Sequence, residues 1–532
     1  MSNKEFNLIH EPWILALKPD CTMEEVSLLE LFRDAHKWRR LAGEMPTQDV
    51  AVLRLLLAIA HAVFSWYDPD GNFAPLSSSE DALKRWKEIW DKCEFPVKVI
   101  EDYLLHFEDR FWLIHSQHPF YQVADLDRAT DYTSAKLNGE LSESGNKIRL
   151  FPQRTGEAKR KLRYSEAARW LLYVNAFDDT SAKPKQKGLL SPGAGWLGKL
   201  GLITAVGDNV FETIMLNLVF LKDGEDKLWG KEKPIWEQPV RSSERELIIM
   251  PDNPSELLSL QSRRLLLKRE KDKVTGFALL GGDFFEKENA FAEQMTVWRN
   301  ANKNKNEVPK FHPRRHDPSR QIWRDFPALV SQGDGKRRAG IVNWLARLKH
   351  EKLLSQSNTC FQIAAVNYGD KDFFVDDVFS DSLTFNAGLL MALGEAWIAR
   401  IIDELNLTDK LVQSAGRLAQ NLAKAAGNSD GNSQRNIAME QTYFRLDVPF
   451  RRWLEKIDPE MDEMSIVCDQ WWKQTQLIVR DFGEELVGQV GMKSFVGRVV
   501  TENNSKKRYT APEAFNRFLY ETSHKDMLKG GK

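Results

Sequence analysis

Apolar positions along this chain follow two regimes. Up to about residue 385 they come in short runs separated by polar, glycine- and proline-bearing stretches, a mixture that predicts helices and strands together. Residues 7–15, NLIHEPWIL, begin with a short apolar strand, and Ser27–Phe32 reads as a first helix. From Thr47 to Trp66 the run TQDVAVLRLLLAIAHAVFSW is apolar on nearly every side. It predicts a helix too hydrophobic for a surface and central to the first domain, with Thr47 as its N-cap. Ser79–Cys93 has the one-sided pattern of a helix packed on that core, and residues 124–165 turn polar and irregular. Leu200–Val206 predicts a strand, Gly207-Asp208-Asn209 a turn and Val210–Leu221 a helix.

Beyond Asn386 apolar residues recur at three- and four-residue spacing, as in Leu389, Leu393, Trp397 and Ile401. Helices are predicted over Ala387–Leu405, Asp409–Ala426, Ile437–Ile457, Asp462–Leu486 and Pro512–Ser523, with the linker GNSDGNSQRN over Gly427–Asn436. The predicted fold class is α+β: a large mixed α/β N-terminal domain over residues 1–385 and a C-terminal four-helix bundle over residues 386–532.

Composition narrows the class. The 532 residues are 42% hydrophobic and 28% charged, ordinary for a globular protein, and the net charge is only -1. The basic residues nevertheless cluster: Lys159-Arg160-Lys161, Arg263-Arg264, Arg314-Arg315, Lys336-Arg337-Arg338 and Lys506-Lys507-Arg508. Local clusters in a neutral chain suit local anion-binding surfaces, or solvated faces, better than a uniformly basic coat. Cys21, Cys93, Cys360 and Cys468 form no C-x-x-C pair, which points away from zinc ribbons and disulfide frameworks and toward a reducing cytoplasm. The N-terminus has no apolar leader core, and no apolar run reaches the ~20 residues a membrane span needs, so no membrane partner is expected.

The stretch GLLSPGAGWLGKLG, Gly188–Gly201, concentrates glycine between a lysine-rich run and a strand. Gly193, Gly195 and Gly198 spell the dinucleotide fingerprint, and Gly193, Gly198 and Lys199 spell most of a P-loop, so a nucleotide-dependent enzyme is one alternative. Both motifs need a strand before the glycines and a helix directly after them. Here the order is reversed, and Leu200 stands where a P-loop needs a hydroxyl. Close backbone approach to an anion remains, with Lys183, Lys185, Lys187 and Lys199 nearby; a solvated surface loop is the other reading.

A metal-dependent nuclease is the second alternative. His106, His115 and His118 are close in sequence, as are His312 and His316, but the first set reads as structural and Pro313 and Pro318 break any helical metal face in the second. Phe151, at the end of a Gly/Asn/basic loop, suits either base stacking or anchoring of its own loop. No spacing assembles a catalytic centre, so the chain reads as a non-enzyme without cofactor or metal.

An ordered set of short motifs then resembles one family. These are Asn7-Leu8-Ile9 with Pro12-Trp13-Ile14, Phe111-Trp112-Leu113, His118-Pro119-Phe120, the Ser144–Phe151 loop, Pro192-Gly193-Ala194-Gly195, Thr275-Gly276-Phe277, His312-Pro313 with His316 and Pro318, and Phe385-Asn386 before the bundle. Together they resemble CasA, the large subunit of the type I-E CRISPR surveillance complex Cascade. The resemblance implies a subunit that partners guide RNA, double-stranded target DNA, other Cascade subunits and a helicase-nuclease. It implies a guide-handle loop carried here by Asn146, Lys147, Arg149 and Phe151, and displaced-strand contacts by Arg451, Arg452, Lys506, Lys507 and Arg508. Reading of the protospacer-adjacent motif and the strand-separating wedge would fall to Gly193, Gly195, Gly198 and Lys199 and to a hairpin holding Lys371, Asp372 and Phe373. Three departures stand out. The hairpin carries Lys-Asp-Phe where known members place Asn, Gln and Ala. The lysine expected after Thr-Gly-Phe has no direct counterpart, with Lys271, Lys273 and Lys287 as substitutes. The four-cysteine zinc site of some members is missing.

Overall fold

The computed structural model describes residues 4–138, 154–181, 183–184, 188–245, 247–248, 251–302, 307–333, 335–428, 430–502, 505–523 and 525. The chain divides into two compact units, one formed by Met1–Arg320, Ala328–Ser355 and Cys360–Ser382, the other by Gln321–Pro327, Gln356–Thr359 and Leu383–Lys532. The α+β class holds: the first unit mixes helices with small sheets, and the second is mainly helical.

The first unit is built around the helix Pro46–Phe64, in which every residue except Pro46 and Asp49 is buried. Contrary to the expectation that no apolar run reaches that length, the helix is long and apolar enough to cross a bilayer by length and composition, but its surface is buried in this unit's own core. Thr47 is not its cap. The N-cap is Met45 without a side-chain bond, Pro46 takes the first helical position, and Thr47 is fully buried. Proline there forgoes an N–H that has no intrahelical partner anyway. The helix carries one buried charge, Arg54, whose two terminal nitrogens donate to the two carboxylate oxygens of Glu293 at 2.9 Å each. Glu293 also accepts from the indole of Trp196 at 2.8 Å.

Ser27 caps Leu28–Arg33 in a capping box with Glu30, as the Ser27–Phe32 pattern predicts. Ser79–Trp90 matches the amphipathic prediction, ending three residues before Cys93. The Val210 helix stops at Asn217 rather than Leu221, because the Asn217 side chain donates to the Ala205 and Thr213 carbonyls and accepts the Ala205 N–H, tying the helix end to a strand. The polar stretch from 124 is not all irregular. Thr130–Thr133 is an edge strand on Lys273–Gly281, which pairs on its other side with Arg263–Glu270. A second three-stranded sheet places Asn358–Tyr368 between Val375–Asn386 and Ile203–Val206, with Ile363 opposite Ile203.

In the second unit four helices, Gly394–Ala426, Asn432–Lys456, Met464–Gly488 and Ala511–Glu521, surround an aromatic core in which Trp323 stacks on Phe450 at 4.6 Å and Trp453 on Trp471 at 5.2 Å. The two helices predicted on either side of Asn406 are one of 33 residues. Nothing breaks it there: the Thr408 hydroxyl donates to the Glu404 carbonyl inside the helix and accepts from the Trp471 indole at 3.1 Å. Gly427 ends the helix in left-handed conformation at φ 117°, and the next helix starts at Asn432, inside the predicted linker.

Glu293→Ala strands a buried guanidinium and an indole N–H, so it is expected to cost the first unit about 3–5 kcal/mol. A Tm shift of several degrees in thermal unfolding of the purified chain checks this; an unchanged Tm contradicts it.

Candidate nucleic-acid interface

The glycine loop is fixed from beneath by a cluster of five buried charges. The helix Tyr164–Phe177 ends at Asp178, whose carboxylate meets the Arg263 guanidinium, Lys183 Nζ at 2.8 Å and Lys136 Nζ at 3.6 Å. Asp179 accepts from Lys136 at 2.9 Å. Burial alone would raise the Asp178 carboxyl, but Arg263, Lys183 and Lys136 overcome it and hold the group well below the usual carboxylate range. Burial also disfavours the Lys136 ammonium, and Asp178 and Asp179 outweigh it. Lys183 ends lower, at about 8, because burial and Arg263 outweigh its carboxylates. Lys183 therefore neutralises a protein carboxylate, which corrects its reading as a phosphate partner; Lys185 and Lys187 lie outside the described residues.

Arg263 carries the cluster into the loop. One of its terminal nitrogens donates to the carbonyls of Asp178 and Asp179 at 3.1 Å and of Gly193 at 2.7 Å. Gly195 N–H donates to the Asp178 carbonyl at 2.8 Å. Each glycine of the motif answers to a neighbour within the protein. Gly193 has φ +63°, a Cβ on Gly195 would stand 2.3 Å from the Ala176 carbonyl oxygen, and one on Gly198 would stand 2.1 Å from the Tyr368 hydroxyl. After the loop comes a single 3₁₀ turn, Leu197–Lys199, and then the strand Ile203–Val206. Among the described residues no α-helix opens directly after the glycines, so the nucleotide-cradle geometry is not formed there.

Lys199 sits where positive charge accumulates. Its ammonium makes one weak hydrogen bond, to the Pro192 carbonyl at 3.4 Å, and no carboxylate lies within ion-pair distance of it among the described residues. Lys199 Nζ and the Arg245 guanidinium both lie against the Phe284 ring, 5.0 and 5.8 Å from its centroid. Burial, then Arg263, Lys287, Arg315 and Arg245, pull the Lys199 pKa down to about 8. A partly buried ammonium crowded by cations is unfavourable until an anion joins it. Of the three lysines offered for the position after Thr-Gly-Phe, exposed Lys287 joins this set; Lys271 and Lys273 sit at the turn between strands Arg263–Glu270 and Lys273–Gly281.

The hairpin tip joins the same surface. Between Tyr368 and Val375 the chain makes a 3₁₀ turn in which Lys371 (φ 54°) and Asp372 (φ 59°) are both left-handed, costing about 1–2 kcal/mol per residue for side chains other than glycine. Phe374 folds back onto Gly369, while Phe373 is 56% exposed and Lys371 is exposed. Asp372 is held by Arg315 through two bonds of 2.8 Å. Sequence reading missed Arg245 and Arg315 as members of this site. Arg314-Arg315 showed only as a basic pair, since its partner lies 57 residues on.

Other predicted residues fall elsewhere. Asn146, Lys147, Arg149 and Phe151 lie outside the described residues. In the second unit Arg451 pairs with Asp447 at 2.8 Å, whereas Arg452, Lys506, Lys507 and Arg508 are exposed. The last three lie on the hairpin Arg498–Glu502/Ser505–Tyr509, where Lys507 and Lys424 each lie 5.2 Å from the Tyr509 ring. Asp109, His115 and His118 do converge, but His115 Nδ1 accepts the N–H groups of Gln117 and His118 at 3.0 Å. That fixes the proton on Nε2, the nitrogen facing Asp109, and opposes metal ligation there. His316 Nε2 bonds the Leu202 carbonyl and His312 approaches Glu288, so those two serve different elements.

A mixed α/β unit carrying a cationic loop that matches no nucleotide-binding motif, and a mainly helical second unit, define an α+β protein of two units. The comparisons specify it. The family described as CRISPR-associated protein Cse1 matches over residues 7–482, and the chain belongs to that family, the CasA large subunits of type I-E Cascade. The CasA/Cse1 protein of Thermus thermophilus is 29% identical over 480 residues, covering 86% of this chain and 89% of the relative. The crystal structure of Thermobifida fusca Cse1 matches with a TM-score of 0.82 and 30% identity over 99% of both chains. A chain of a CRISPR RNA-guided surveillance complex shares the fold with a TM-score of 0.63 at 15% identity, covering 98% of this chain and 99% of that one.

If the loop is packed as described, Gly195→Ala forces a methyl against the Ala176 carbonyl and destabilises the first unit by about 1–3 kcal/mol. Thermal unfolding measures it. A freely solvated loop would tolerate alanine without loss.

Proposed function

We propose that this chain is the non-catalytic large subunit of an RNA-guided type I-E interference complex in the cytoplasm. It recognises the protospacer-adjacent motif in duplex DNA, starts the strand separation that opens an R-loop, and helps recruit the helicase-nuclease. The observation that carries this reading is the Lys199 surface: Lys199, Arg245 and Lys287 gather beside the glycine loop, where Lys199 has no carboxylate within ion-pair distance among the described residues and Arg315 is neutralised by its pair with Asp372. Such a surface attracts phosphate backbone, and closely approaching loop backbone suits the narrow, chemically degenerate minor groove. Phe373, exposed at the hairpin tip, is the apolar side chain suited to wedge between base steps. Asn146, Lys147, Arg149 and Phe151 would hold the guide-RNA handle, while Arg451, Arg452, Lys506, Lys507 and Arg508 would follow the displaced strand. The reading domain and the bundle divide near residues 385 and 386. Family membership and the fold shared with a surveillance-complex chain support the assembly. Sequence along the target is then read by base pairing with the guide rather than by this subunit.

The test is equilibrium binding of the assembled complex to target duplexes carrying every motif variant. Affinity should depend on the motif, and Lys199→Met should weaken the preferred duplex about tenfold without releasing guide RNA. Equal binding to all variants, or an unaffected Lys199→Met, refutes the reading.

The pH dependence follows from Lys199. Its pKa in the folded chain, about 8, lies below the ordinary lysine value, so the charged form is present below that pH and lost above it. Lys183, also lowered to about 8, titrates in the same window, but it is buried beneath the loop against Asp178, so the comparison with Lys199→Met isolates the Lys199 contribution. Duplex affinity should therefore fall between about pH 7 and pH 9 in wild type, and flatten in Lys199→Met; a flat wild-type profile contradicts the assignment.

A further inference from the structure

The tip of the 358–386 hairpin is held in a shape its own side chains disfavour, and contacts from Arg315, Tyr368 and Thr180 hold it. Arg315 grips Asp372 with both terminal nitrogens at 2.8 Å, a planar fork that a lysine cannot reproduce. The same guanidinium lies 5.1 Å from the Tyr368 ring centroid. Tyr368 donates its hydroxyl to the Phe177 carbonyl at 2.6 Å, and its ring takes the space that a side chain at Gly198 would need. Thr180 donates its N–H to the Asp372 carbonyl at 2.8 Å and its hydroxyl to the Lys371 carbonyl at 2.9 Å. Both left-handed residues thus have their carbonyls bonded to one threonine, two residues beyond Asp178 in the buried charge cluster.

We propose that Arg315 and Asp372 form a latch that fixes the hairpin tip beside the glycine loop before any duplex arrives. Both are then positioning residues, and Lys371 and Phe373 are the tip side chains that meet DNA. Aspartate suits this place for two reasons. It tolerates the left-handed conformation better than most residues. Its charge, which would repel phosphate, is masked by the fork of Arg315. Lys371, by contrast, has no carboxylate within ion-pair distance among the described residues and is exposed, and Phe373 is 56% exposed. This inference rests on the duplex-reading role proposed above.

The experiment compares Asp372→Ala, Arg315→Ala and the double variant, each checked for unchanged guide-RNA association and thermal unfolding. Hydrogen exchange of the Lys371–Phe374 amides on the free subunit reports the latch without DNA; it should accelerate at least tenfold in all three variants. In the assembled complex, affinity for the preferred duplex should fall about five- to tenfold, the ratio between preferred and scrambled motifs should shrink by a similar factor, and the double variant should be no worse than either single. Asp372→Asn, which keeps the left-handed tolerance and one acceptor, should fall between wild type and Asp372→Ala. Unchanged exchange overturns the latch. Losses that add in the double variant overturn it too, because they make Arg315 or Asp372 a direct contact. Faster exchange with unchanged duplex affinity and selectivity sinks the role of the tip in duplex reading instead, and leaves the clamp on the tip standing.

Discussion

Five buried charges at the end of the helix Tyr164–Phe177 hold the glycine-loop face of the first unit together. Asp178 and Asp179 are sequential, Lys136 and Lys183 come from either side of the helix, and Arg263 arrives from a strand eighty residues on. Burying one such charge alone would be prohibitive, and burying the set is tolerable only because each carboxylate oxygen faces a cation or a donor. The consequence is geometric. With two acids and three bases fixed in place, the guanidinium of Arg263 has one way to sit, and it extends the cluster to the Gly193 carbonyl. Loop position is therefore set by the interior of the unit rather than by solvent.

Rigidity at this place has a use. A loop that meets nucleic acid through its backbone loses less conformational entropy on binding when the protein has already ordered it. The glycines serve that internal order first: Gly195 lets the chain pass against Ala176, and Gly198 makes room for Tyr368, which brings the hairpin to the loop. Charge follows the same division. Lys183 is spent on Asp178, while Lys199, seven residues beyond Pro192, faces cations and has no carboxylate within ion-pair distance among the described residues.

Periodicity was most informative where one element decides its own burial. The apolar run beginning at Thr47 could only be a core helix, Ser27 with Glu30 marked a helix start, and the repeat from Leu389 onward required a bundle. It failed where a distant partner decides. Asn217 ends a helix because strand atoms at Ala205 bind its amide, and Thr408 sustains one with Trp471 at its hydroxyl. The polar residues Thr130–Thr133 form a strand because Lys273–Gly281 offers an edge. None of these partners is near in sequence, so local pattern carries no trace of them.

The same boundary runs through the candidate site. From the sequence alone came the family resemblance, the exclusion of a nucleotide cradle by the order of glycines and strand, and the choice of Lys199 and the Lys371–Phe373 tip, because these depend on residue identity and chain order. Which cations pair with the protein's own carboxylates and which do not was decided only by tertiary structure. Lys183 and Lys199 flank the same loop and look alike in one dimension; burial beside Asp178 consumes the first, and burial among arginines leaves the second uncompensated. Charge acts through space over a few ångströms, and chain folding alone determines which charges come that close.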